Sequence, residues 1–208
     1  MTLTETRSQA VRRARGLNRI SIGWNFTEAG VALALGVAAS SVSLIGFGAD
    51  SVIEVSASLI LAWRLHQERK TGCKMEGDRR ATRAIAVSLF ALAAWVAYAA
   101  VDDLLTRDSP EASIPGVVLA AVSLVTMPFL ARAKRRLAPA LGSSAVIAEA
   151  EQTQICALLS GVLLIGLMAN ATFGWWWADP LSALGIAGLA GWAGVRAWRA
   201  ESLEDTCC

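Results

Sequence analysis

Gly46-Phe47-Gly48-Ala49-Asp50-Ser51-Val52-Ile53-Glu54-Val55-Ser56-Ala57-Ser58 places two carboxylates inside an apolar run that extends from about Ser41 to Trp63. Asp50 and Glu54 are four residues apart, so on a helix their side chains stack on one face. If the run crosses a bilayer, each ionised carboxylate costs about 2.5–3.5 kcal/mol at the centre on insertion scales. A bound cation or proton would offset that cost. The alternative is a polar pair satisfied by neighbouring helices.

Composition places the run in a membrane. Apolar residues make up 55% of the 208-residue chain and charged residues 17%, well under the roughly 25% charged of a soluble domain. Mean hydropathy is +0.49. The charges cluster, leaving several nearly charge-free windows of about 20 residues, the length that spans a hydrocarbon core. The expected class is an all-α membrane protein, a bundle of six transmembrane helices.

Working outward from the acidic pair, span one runs from about Arg19 to Ala39 and carries Asn25 and Glu28 on one face. It is joined to span two (Ser41 to Trp63) by the short connection Ser40–Leu44, an antiparallel hairpin. A charged loop from Leu65 to Arg80 holds His66 and Cys73, read as solvated loop residues. Span three is about Ala81 to Leu105 and span four about Ile114 to Leu130, where Pro128 is expected to kink or end it. Span five covers about Leu141 to Asn170. Trp175-Trp176-Trp177 reads as an interfacial aromatic belt, and Asp179-Pro180 opens span six. Gly185, Gly188, Gly191 and Gly194 recur every three residues along that span as a ridge that lets a neighbouring helix approach. Residues 1–18 form a polar interfacial segment, retained rather than cleaved as a signal peptide, residues 19–200 the membrane domain, and 201–208 a short tail.

Eighteen of the nineteen Lys and Arg fall at one end of these spans, with Arg107 alone at the other. The positive-inside rule then puts both termini in the cytoplasm, in an inner or plasma membrane. The four cysteines (Cys73, Cys156, Cys207, Cys208) suit neither a disulfide framework nor a zinc finger. Cys207 and Cys208 lack a prenylation box. No nucleophile–base set, phosphate loop or dinucleotide fingerprint supports an enzyme, nothing points to nucleic acid, and no permanent cofactor is expected.

Span five carries the second informative stretch, Ala148-Glu149-Ala150-Glu151-Gln152-Thr153-Gln154-Ile155-Cys156. Glu149, Gln152, Thr153 and Cys156 sit at i, i+3, i+4 and i+7, one helical stripe that Ser160 extends. Glu151 and Gln154 fall off it, toward the headgroups. Paired carboxylates facing a polar, thiol-bearing stripe suit a divalent cation: carboxylate oxygen takes hard cations, thiolate favours zinc. Proton and metal would compete for one set of oxygens, the physical basis of antiport. The bland alternative puts the start of span five in water near the cytoplasm. Glu28, Asn25, Glu149, Thr153 and Ser160 are accessory candidates for metal or a proton path.

Asp50-Ser51-Val52-Ile53-Glu54 resembles the Asp-x-x-x-Asp metal motif of the cation diffusion facilitator family, with Glu in place of the second Asp. Trp177-Ala178-Asp179-Pro180-Leu181-Ser182-Ala183-Leu184 is similar to that family's start of the sixth helix. The resemblance covers about residues 15–200. It implies export of a zinc-type divalent cation from the cytoplasm, coupled to protons, usually by a homodimer. Aligning Ser160-Gly161 with the family's small pair puts Gln152 and Cys156 where its fifth helix carries His-x-x-x-Asp, giving an expected metal set of Asp50, Glu54, Cys156 and Gln152. The family's cytoplasmic metal-binding domain is expected to be absent. Two rivals are a non-transporting metal sensor or partner subunit, and a proton-coupled carrier of a small organic solute.

Overall fold

The structure, a computed structural model, describes the backbone of residues 3–71, 78–107, 111, 113–141 and 144–200. Side chains are described over most of these residues, from Arg12 to Arg199. The side chains of His66, Cys73, Cys207 and Cys208 and the 201–208 tail lie outside the described residues. Six helices follow in order: α1 Leu3–Ala39, α2 Val42–Thr71, α3 Asp78–Thr106, α4 Ile114–Leu141, α5 Ser144–Phe173 and α6 Ala178–Ala200. No strand occurs among the described residues. Helices α1 to α5 each contain a stretch long and apolar enough to cross a membrane. In α6, a helix of similar length, Gly and Trp lower the hydropathy.

Several helices outlast the apolar runs that predict them. The segment before residue 18 is no separate interfacial helix, because α1 runs unbroken from Leu3. Leu65–Thr71 and Asp78–Arg80, expected as loop, belong to α2 and α3. The charged residues there include good helix formers, so the helix continues where hydropathy stops. Pro128 does not end α4, which continues to Leu141: the missing N–H removes one rung of the ladder, and packing holds the rest.

Pairwise packing sets α1 along α2, α4 along α5 and α3 along α6, with α2 also touching α3, α5 and α6. The α1–α2 turn is a Schellman close. Ser40 adopts φ 51°, Ser41 N donates to Gly36 O at 2.9 Å, and Ser40 N to Val37 O at 3.4 Å. Ser41 then caps α2, its Oγ accepting from Leu44 N at 3.2 Å.

Asp179 ties this turn to α6. It is fully buried and accepts from Ser41 Oγ at 2.7 Å, Ser43 N at 3.3 Å and Ser43 Oγ. Glu111 N donates to Ala39 O at 2.9 Å, so the α1–α2, α3–α4 and α5–α6 connections share one end of the bundle.

Phe47, Leu44, Leu89, Met127, Leu159, Leu163 and Ile186 form the main core. The α3–α6 seam is Leu92, Val96 and Ala100 against Ala183, Ala187 and Ala190. Alanines therefore make the ridge assigned to the glycines of α6. A three-residue step turns about 300° and drifts by roughly 60° each time. Accordingly Gly185 faces Val162, Gly194 faces Phe90, and Gly188 has no neighbour at its Cβ position. Outward faces carry Phe26, Val52, Tyr98, Val125, Ile165 and Trp192, the surface of an integral multi-pass membrane protein.

Candidate cation site

Asp50 lies nine residues after Ser41, about 13 Å along α2 at 1.5 Å per residue, close to half the roughly 30 Å thickness of a hydrocarbon core. Helix α2 presents Phe47, Asp50, Ser51, Glu54 and Ser58 inward, all buried, while Val52 and Leu59 face out. Opposite, α5 turns in Thr153, Cys156 and Ser160, also buried. Helix α1 contributes Glu28 at 1% exposure, and α4 contributes Ser123 and Lys134. Glu28, Asp50 and Glu54 lie close enough to act on one another electrostatically.

The three acids differ sharply in their partners. Glu28 Oε2 accepts from Ser51 Oγ at 3.1 Å and from the Cys156 thiol at 3.9 Å, and Oε1 accepts from Ser123 Oγ. Glu54 Oε1 accepts from Thr153 Oγ1 at 3.0 Å, but its Oε2 has no partner. Neither oxygen of Asp50 has one, although the residue is 1% exposed. Buried polar atoms are nearly always hydrogen-bonded, so unpaired ones call for an explanation. Here three carboxylate oxygens on one helix face are left open.

A second polar group lies beyond Thr153, toward the Lys/Arg-rich end. Lys134 Nζ donates to Glu149 Oε1 at 3.1 Å and to Thr153 Oγ1 at 3.0 Å. Ser58 Oγ donates to the same Glu149 oxygen at 2.9 Å. Asn18 Nδ2 of α1 donates to Ser58 O at 3.2 Å. From there Asn18, Ser21, Asn25 and Glu28 form a buried polar stripe on α1. Asn18 Oδ1, Ser21 Oγ and both polar atoms of the Asn25 side chain are unpartnered.

The residues singled out from sequence thus divide. Glu28, Asp50, Glu54, Thr153 and Cys156 come together. Glu149 is drawn inward by Lys134 and Ser58 rather than left in water. Asn25 is buried one turn from Glu28. Ser160 bonds back to Cys156 O at 2.9 Å. Gln152 is half-buried with Nε2 unpartnered, and no hydrogen bond joins it to the acids. Glu151 pairs with Arg196 at the surface. Among the described residues no three His, Cys, Asp or Glu side chains form a group that could hold a metal ion.

Sequence reading missed Ser51, Ser123 and Lys134. Lys134 lies in Arg132-Ala133-Lys134-Arg135-Arg136, a basic run expected to sit in water after span four, yet it is 3% exposed. Its signal is periodicity: Ser123, Met127, Leu130 and Lys134 fall at i, i+4, i+7 and i+11, one buried stripe.

The family model of the cation efflux transmembrane domain matches residues 81–202. The match runs from α3 through α6 and includes Ser123, Lys134, Thr153, Cys156 and Asp179, while Glu28, Asp50 and Glu54 precede it. No curated protein matches the sequence.

Proposed function

The chain belongs to the cation efflux family, cation transporters of the cation diffusion facilitator kind, and on that premise we propose that it exports a zinc-type divalent cation in exchange for protons at the acids of α1 and α2. The observation that carries this is the set of open oxygens, both of Asp50 and Oε2 of Glu54. Oxygens buried without a partner suit a ligand that comes and goes, whether a cation or a proton. Cys156 of α5 is the soft donor, its thiol within reach of Glu28 on α1 and of Glu54 on α2. Loading therefore requires side chains to exchange Ser, Thr and Cys partners for the ion, in line with the lack of a preformed three-ligand group among the described residues.

The buried stripe Asn18–Ser21–Asn25, with Asn18 Oδ1, Ser21 Oγ and both Asn25 side-chain atoms open, supports a polar route to the acids from the Lys/Arg-rich end. By the positive-inside rule that end is cytoplasmic, so cations load there and leave toward the α1–α2 turn.

Reconstitution into vesicles under a pH gradient tests the reading, following zinc, cadmium, manganese and iron. Proton-driven flux of at least one of them, lost in Asp50→Ala, is expected. Binding without flux would favour the non-transporting reading. Full activity in Asp50→Ala would refute the assignment of the site.

A further inference from the structure

Lys134 is the one lysine or arginine buried among the described residues. Burying an ammonium is costly unless it is paired. Its partners are the same groups that border the acid site: Glu149 on one side and, on the other, the Thr153 hydroxyl that hydrogen-bonds Glu54. A hydroxyl carries one proton and cannot serve two acceptors at once. Thr153 Oγ1 lies 3.0 Å from both Glu54 Oε1 and Glu149 O. Lys134, by donating into that oxygen, leaves the proton free for one of them. The ammonium is therefore one hydroxyl away from Glu54.

A lysine on a flexible four-carbon stem can leave such a position. Its neighbours Arg135 and Arg136 are exposed, so the water-facing end of the bundle lies within a swing of the side chain.

We propose that the Lys134 ammonium is a tethered cation that occupies the Glu149–Thr153 end of the acid cluster in the unloaded protein and is displaced when a divalent cation binds. The lysine's own step moves a charge and transfers no proton: the ammonium leaves Glu149 and Thr153 for water, and the incoming ion takes over the compensation of Glu149. This keeps Glu149 from standing uncompensated between transport events, while the acids of α1 and α2 carry their protons, and sets a threshold that weakly attracted cations fail to cross. The inference rests on the export reading above, because it needs a cation to arrive.

Two measurements on the purified full chain test it, with Zn2+ as the probe. Amine acetylation of Lys134, read by mass spectrometry, should be slow in metal-free protein and rise about tenfold with saturating Zn2+, as the ammonium moves to water. Lys134→Met should bind Zn2+ about tenfold more tightly because the competing charge is gone, while Lys134→Arg stays near wild type. Lys134 remaining protected in the Zn2+-bound protein overturns the proposal, even if Lys134→Met does not fold. So does a Lys134→Met protein that binds Zn2+ equally or more weakly, the result for a merely structural ion pair. In either case Zn2+ binding that depends on Glu54 leaves the export reading standing. A wild-type protein that binds no Zn2+ overturns this proposal, and the vesicle assay with the other three ions then decides the export reading.

Discussion

A buried polar group without a hydrogen bond destabilises a fold by about 1–3 kcal/mol, and more when charged. Asp50 holds two such oxygens at 1% exposure. Asp50→Asn keeps the shape and removes the charge. Its melting temperature should therefore equal or exceed that of wild type, while metal flux falls by at least about a hundredfold. A variant that loses stability and flux together would mark Asp50 as structural. Cys156 is the other residue whose chemistry can be read separately, since sulfur favours soft ions and oxygen does not. Cys156→Ser should lower cadmium transport relative to manganese by about tenfold, measured as the ratio of initial rates in the same vesicles. Equal loss for both ions would place Cys156 in packing alone.

The helices owe their junctions to a few local devices, and these can be altered without touching the acids. Ser40 closes α1 at φ 51°, a conformation that glycine adopts freely. Ser40→Gly should stabilise the protein by roughly 0.5–1 kcal/mol, offset in part by the looser unfolded chain, read as a higher melting temperature with unchanged transport. Gly166 is the opposite case, because a Cβ there would come within 2.6 Å of Ser182 Cβ on α6. Gly166→Val should destabilise by about 1–3 kcal/mol.

These junctions also show how much could be read from sequence. Asp179-Pro180 announced the start of α6, but its tie to Ser41 and Ser43 joins residues more than a hundred positions apart, which no local pattern reveals. The span-two acids were legible because charge in an apolar run is expensive whatever surrounds it. The partners on α4 were not. Ser123 looks like any serine in a span, and Lys134 sits in a basic cluster where the expected location is water. Its inward turn depends on Glu149 meeting it from α5. Helix ends were mislaid for a related reason: hydropathy tracks where the solvent changes, not where the backbone ladder stops.

Across the whole molecule, the two ends of the bundle differ in how they are closed and charged. One end is closed by the α1–α2, α3–α4 and α5–α6 connections, tied together through Asp179 and Glu111. The other carries Lys134, Glu149, Asn18 and most of the basic residues. If that basic end faces the cytoplasm, a cysteine placed at Arg107, in a background without native cysteines, should react with a membrane-impermeant maleimide added outside intact cells. Failure to label until the cells are opened would invert the topology and the direction of export.

Between the ends lie Glu28, Asp50 and Glu54, and the claim that protons and a divalent cation exchange on their oxygens can be measured without any gradient. Calorimetric titration of the purified protein with Zn2+, repeated in buffers of different ionisation enthalpy, counts the protons released per ion bound. Proton release in wild type, abolished in the Asp50→Asn, Glu54→Gln double variant, is the predicted result. Zn2+ binding with no protons released, or the same release from both proteins, would contradict it.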